Sequence, residues 1–246
     1  MSRNFDLLAE VERERDNLSK TAQVPIAAKQ SAVRADLPPT EAVVEPPELF
    51  RLVRSIFLAN NGSSPRRVAF FGVDAENGSS AICAKAAQAL ARNTSKPVCA
   101  VDANIRSASL SQILGGNRTV PLPGKFSSPR DQCVQLGGNL WLAGVDLMSD
   151  GRGSLLPIDE LNHRLMQLSA VFEFLVIDAP GTAAAQDAEI LAHLADGGVL
   201  IIEANKTRRT TAAMAIEKLE TAGVRILGTV LNDRTFPIPD RLYKFL

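Results

Sequence analysis

Five short runs constrain this chain more than anything else in it: RRVAFFG, PVCAVD, FEFLVID, DGGVLIIEA and VRILGTVLN. Each is rich in Val, Ile, Leu or Phe, too short for a typical helix, and free of the polar alternation that marks a half-solvated strand. Such runs are strands buried on both faces. Helical stretches separate most of them. One is ELFRLVRSIFLA, entered through Pro46-Pro47 with Glu48 near the positive end of the helix dipole; another is SSAICAKAAQALARN. The alternation predicts a three-layer α/β domain with a mostly parallel sheet, whose sites lie at the C-terminal ends of the strands. There is no internal repeat.

At 246 residues and 46% apolar, the chain has enough material for a large core. No run of about 18 apolar residues is present to span a bilayer. The opening MSRNFDLLAEVERERD is too acidic for a signal peptide, so a cytoplasmic protein is expected. Lys+Arg and Asp+Glu are equal at 27 each, which argues against a nucleic-acid partner, because phosphate binding calls for a basic domain or stripe. Cys83, Cys99 and Cys133 lack CxxC spacing and read as reduced thiols. Residues 1–47 hold six basic and eight acidic side chains. There Phe5, Leu8 and Val11 fall at helical spacing, and Ser19 to Pro47 reads as a tether. The expected division is therefore an amphipathic helix and flexible tether over 1–47 and one α/β domain over 48–246. The helix fits a solvated tail or a docking element equally well.

Chemistry is expected where strands end. Val68 to Gly72 runs into VDAENGSSAICAK, a strand–loop–helix crossing of the kind that cradles phosphates. A working phosphate loop needs glycines, a lysine for the outer phosphates and a Ser/Thr for magnesium. Gly78 and Ser80 are in place, Ser79 stands at the lysine position, and Asp74 and Glu76 put carboxylates where an anion would sit. Asp102 ends a second strand, followed by Asn104 and Arg106; Asp178 ends another, followed by Pro180 and Gly181. Acids so placed can hold a magnesium shell or accept a proton.

These segments together resemble the bacterial tyrosine kinases of capsule and exopolysaccharide synthesis, within the deviant-Walker ATPases. The resemblance covers about residues 48–235. VAFFGVDAENGSSAICAKAAQALA stands for Walker A, AVDANIRSASL for the second Walker motif and FLVIDAPG for Walker B, and QDAEILAHLADGGVLIIEANKTRR and LGTVLND come after them as in the family. Glu48, Arg51 and Arg54 match the E-x2-R-x2-R signature through which a family helix meets its neighbour in a ring, which implies a homo-oligomer.

The resemblance implies a P-loop NTPase-like domain. ATP would lie against Gly78, Ser79, Ser80, Asp102 and Asp178, with magnesium on Ser80, Asp102 and Asp178. The departures weigh against that use: Ser79 replaces the lysine, Asn104 replaces a second aspartate, and Asp74 occupies the position of the signature lysine of septum-positioning relatives. Phosphoryl transfer rests on charge stabilisation, so activity should fall by orders of magnitude. Lys85 lies too far along its helix to substitute. Family kinases phosphorylate a tyrosine cluster in trans; here Tyr243 is the only tyrosine, in a tail whose Phe236, Ile238, Leu242 and Phe245 suit hydrophobic docking. His163 and His193 read as ordinary helix residues. The expectation is a catalytically inactive, kinase-like regulatory or assembly protein with no cofactor. It would sit at the inner membrane through a partner, a membrane polysaccharide co-polymerase or chain-length regulator. The alternatives are an active tyrosine autokinase with an altered phosphate clamp and a nucleotide-binding switch without hydrolysis, each using ATP and magnesium.

Overall fold

A computed structural model describes residues 47–59, 64–74, 77–107, 109–115, 128–182 and 185–233. The proposed N-terminal helix of Phe5, Leu8 and Val11, the tether, Glu76 and the tail with Tyr243 lie outside the described residues. Helix α1 spans Pro47–Phe57, with Pro47 in the first turn, Glu48 beside it and Arg54 in the last turn. Leu49, Val53, Ile56 and Phe57 form its buried stripe. Burying side chains of this size contributes about 1.5–3 kcal/mol each. Glu48, Arg51 and Arg54 occupy the exposed face.

Strand β1, Arg67–Gly72, is buried from Val68 onward and leads into α2, Ser79–Asn93. Then come β2, Val98–Asp102, and the short α3, Ser109–Ile113. A hairpin is next, β3 Val134–Gly137 and β4 Leu140–Ala143. The remainder alternates strictly: α4 Ile158–Val171, β5 Phe174–Ala179, α5 Ala185–Leu194, β6 Gly197–Glu203, α6 Arg209–Thr221 and β7 Ile226–Asn232. All five strands expected from the apolar runs are present, and the helix expected from SSAICAKAAQALARN has those bounds.

The seven strands lie in the order β3-β4-β2-β5-β1-β6-β7, parallel except for the edge pair β3–β4. Alternation through the sheet splits the core in two. Ala69, Phe71, Cys99, Val101, Leu175 and Ile177 face α4, α5 and α6. Val68, Phe70, Val98, Ala100, Phe174 and Val176 face α1, α2 and α3. This is the three-layer arrangement, and it explains the strands' continuous apolar character: both faces are dry. The β3–β4 hairpin has no counterpart among the apolar runs. Its turn at Gly138 adopts φ +52, a left-handed conformation that suits glycine.

The chain leaves β1 towards β2 on one side and later fills β6 on the other, so β1 marks the point where strand order reverses. In such sheets ligands bind beyond the C-terminal ends of the strands at that point. The ends of β1, β2, β5 and β6 all meet there.

Candidate functional site

The loop from β1 to α2 is held to the sheet by side chains. Asn77 is 1% exposed; its Nδ2 donates to the Ile201 carbonyl at 3.0 Å and its Oδ1 accepts from the Ser79 N–H at 3.2 Å. The carboxamide lies against Gly72, where a Cβ would come within 2.5 Å of Asn77 Oδ1. Gly78 takes φ +77 beneath Asn232, whose Nδ2 donates to the Asn77 carbonyl at 3.1 Å. Both glycines are thus required by close approach, and Gly78 also by its dihedral. The Thr207 hydroxyl, after β6, donates to the Asp74 carboxylate and accepts the Glu203 N–H. Asp74 therefore points at the β6–α6 connection and is satisfied there.

Asp102 and Asp178 are register neighbours at the ends of β2 and β5, and both are 0% exposed. Ser111 of α3 donates its N–H and Oγ to Asp102 Oδ2 at 3.0 and 2.6 Å. Asp102 Oδ1 and both Asp178 oxygens have no hydrogen-bond partner. Burial pushes the Asp178 carboxyl up to about 7; the nearby Ser80 hydroxyl opposes this and the Asp102 charge adds to it. Asp102 is also raised by burial, against the lowering effect of its bonds to Ser111. Unpaired buried carboxylates are costly, and either a retained proton or a cation relieves such a pair.

The sequence-read residues Gly78, Ser79, Ser80, Asp102 and Asp178 thus come together at one end of the sheet. Asn104, buried, comes after Asp102, while Arg106 reaches outward to Asp187 at 3.4 Å. Lys85, His163 and His193 are exposed on their helices and take no part. Among the described residues no group of three or more His, Cys, Asp or Glu is placed to hold a metal. Sequence reasoning missed Asn77, Thr207 and Asn232, which organise the loop. It also missed Thr182, whose hydroxyl donates to the Val73 carbonyl, and Lys218, whose Nζ donates to the Thr182 carbonyl at 3.1 Å. Only Asn232 carried a signal, as a polar residue ending an apolar strand.

For ATP and magnesium the fit is divided. The carboxylates with Ser80 suit a cation. The loop does not suit polyphosphate: Asn77 takes the Ser79 N–H at the head of α2, and no lysine stands at position 79.

A mostly parallel sheet with a strand–loop–helix crossing and two acids at adjacent strand ends defines a P-loop NTPase-like domain. Solved structures share it. The chimerical protein CapA2B2 superposes with a TM-score of 0.65 at 19% identity, covering 77% of this chain and 85% of that one. The MinC:MinD cell division complex of Aquifex aeolicus gives 0.58 at 18% identity over 71% of each. No protein-family model matches the chain. Its homologues are bacterial tyrosine-protein kinases. YwqD of Bacillus subtilis is 30% identical over 146 residues, 56% of this chain and 60% of YwqD. The succinoglycan biosynthesis transport protein ExoP of Rhizobium meliloti is 24% identical over 70% of this chain but only 22% of its own length. The chain thus spans about 60% of the first relative and about a fifth of the second.

Proposed function

We propose that this chain is a catalytically inactive, tyrosine-kinase-like regulatory or assembly protein of exopolysaccharide biosynthesis and export. It self-associates through Glu48, Arg51 and Arg54 and works from the cytoplasm beside a membrane polysaccharide co-polymerase or chain-length regulator. The homology to YwqD and ExoP supports the setting. Among the described residues no helix is long and apolar enough to cross a membrane, which is consistent with attachment through a partner. The observation that carries inactivity is the bond from Ser79 N–H to Asn77 Oδ1. In a phosphate cradle that donor faces the anion, and the adjacent side chain is a lysine; here the Asn77 carboxamide takes the donor and Ser79 stands at the lysine position.

A second reading draws on the unpartnered oxygens of Asp102 and Asp178, which would welcome magnesium. Under it the chain is a nucleotide-binding switch, or an autokinase acting on Tyr243. Calorimetric titration of Mg-ATP into the full chain separates the two. No binding up to millimolar nucleotide is expected. Micromolar binding would overturn the inactive reading, and radiolabel on Tyr243 that disappears in Asp178→Ala would establish a kinase.

A further inference from the structure

Away from the carboxylates, two thiols come together. Cys99 lies within β2 and is 0% exposed. Cys133 is half-buried at the entry to β3, where it closes a short 3-10 turn, Pro129–Gln132. Strand β4 runs between their two strands, and its last residue accounts for the approach. Val134 pairs with Leu142, so Cys133, one residue earlier, is brought to Ala143. From the other side the Ala143 N–H donates to the Cys99 sulfur. The Ala143 side chain is a single methyl group, which leaves the space above it open to both sulfurs. Cys99 and Ala143 belong to the core half beneath α4, α5 and α6, and Cys133 packs against that same half. Across this space the Cys99 thiol donates to the Cys133 sulfur.

The turn that carries Cys133 is fixed in place. Ser128 and Asp131 close a capping box around it. The Arg130 guanidinium lies 4.8 Å from the centre of the Trp141 ring, and its Nη2 donates to the Val171 carbonyl at 3.2 Å. Trp141 is in turn the register partner of Cys99 on β4. Packing and hydrogen bonds therefore hold the sulfurs as neighbours. The third cysteine, Cys83, is buried in the other half of the core, and the sheet separates it from the pair.

The two thiols differ in a useful way. Burial pushes the Cys99 thiol up and its bond to Cys133 adds to this, so Cys99 keeps its proton. Cys133 reaches solvent. An oxidant from solution meets Cys133 first and finds Cys99 behind it, the order of an attacking and a resolving cysteine.

We propose that Cys99 and Cys133 form a redox-responsive pair, which hydrogen peroxide converts into a disulfide that ties the β3 edge to the interior strand β2. The Cys133 thiolate attacks one peroxide oxygen; the O–O bond breaks, and the other oxygen takes up a proton and leaves as water. Cys133 is then a sulfenic acid. The Cys99 sulfur attacks the Cys133 sulfur, the S–S bond forms, and the S–O bond breaks. The departing hydroxide takes the Cys99 proton and leaves as a second water. Two electrons pass from the sulfurs to the peroxide, and a small dithiol reverses the change. Closing the bond brings the sulfurs from contact to about 2.05 Å, and Cys133, at the end of a turn and outside the sheet ladder, is the side that moves.

Intact-mass spectrometry on the full chain tests this. Treatment with hydrogen peroxide should lower the mass by about 2 Da, and the tryptic peptides that contain Cys99 and Cys133 should become one linked species that dithiothreitol separates. Cys83 should remain free to alkylation once the oxidised chain is unfolded. Cys133→Ser should abolish the mass loss. Cys99→Ser should convert it into a gain of about 16 Da that dimedone traps at Cys133. Cys83→Ser, which leaves the pair untouched, should oxidise like the unaltered chain. Absence of the mass loss in both the unaltered chain and Cys83→Ser overturns the proposal, as does a linkage that includes Cys83. Oxygen addition at Cys133 without linkage also overturns it, because the two sulfurs then fail to meet, and so does a bridge that joins two chains.

Discussion

Burial leaves Asp178 with a carboxyl pKa of about 7 beside Asp102, so folding holds a proton that the unfolded chain releases near its ordinary value of 3.8. Because the folded state binds more protons over that interval, stability is fully present below about pH 4, falls as pH rises towards 7, and levels off above it. Asp178→Asn removes the titration. In EDTA it should flatten the pH profile and raise stability at pH 8 by about 2–4 kcal/mol, measured by urea denaturation at pH 5 and 8. A second test concerns Gly72, where an added Cβ would come within 2.5 Å of Asn77 Oδ1. Gly72→Ala should cost about 2–4 kcal/mol through overpacking and the displaced buried hydrogen bonds. In the double variant with Asn77→Ala the two losses should be strongly non-additive. The acids of this site were legible in the sequence because a charged residue ending an apolar run stands out. Asn77 was not: a buried carboxamide bonding to the Ile201 carbonyl depends on a contact 124 residues away, and no local pattern encodes that.

At the scale of elements, α1 carries two messages on two faces. The stripe of Leu49, Val53, Ile56 and Phe57 fixes it to the sheet, so the helix was legible from its period together with Pro47 at its start. Its other face carries Glu48, Arg51 and Arg54, all exposed among the described residues. Arg51→Glu with Arg54→Glu should therefore change unfolding free energy by no more than about 0.5 kcal/mol per site. It should abolish self-association measured by light scattering; an unchanged oligomer would remove these residues from the interface. The two strands that escaped notice, β3 and β4, are four residues each and lie at the sheet's other edge. β3 alternates intermediate and exposed positions, so it lacks the continuous apolar run that marked the buried strands. Its usable signal was the glycine-rich turn in QLGGNLW, with Gly138 at positive φ.

At the scale of the whole molecule, equal numbers of acidic and basic residues conceal a local organisation. The buried carboxylates sit at the centre of the sheet's C-terminal end, and Asn77, Asn232 and Thr207 tie down the loop that leaves β1. If the chain is the inactive protein proposed above, Mg-ATP should leave its melting temperature unchanged. Opening the cradle should reverse this. Asn77→Gly with Ser79→Lys frees the backbone donor and restores a cation next to it, at the cost of some basal stability from the lost Asn77 bonds. A ligand at about 100 times its Kd adds about 2.7 kcal/mol to stability. In a domain of roughly 200 residues that is a rise of about 5–10 °C in Tm. A rise in the double variant and none in the unaltered chain, measured by scanning calorimetry, is the expected outcome. It would place the loss of nucleotide response in two adjacent features of one loop, with the sheet and its carboxylates still competent. A comparable rise in the unaltered chain would mean that Asn77 yields its place to phosphate, and the inactive reading would fall. If neither protein responds, the sheet end itself no longer accepts the nucleotide, and substitutions at Asp74 and Glu76 become the next test of the loop's charge.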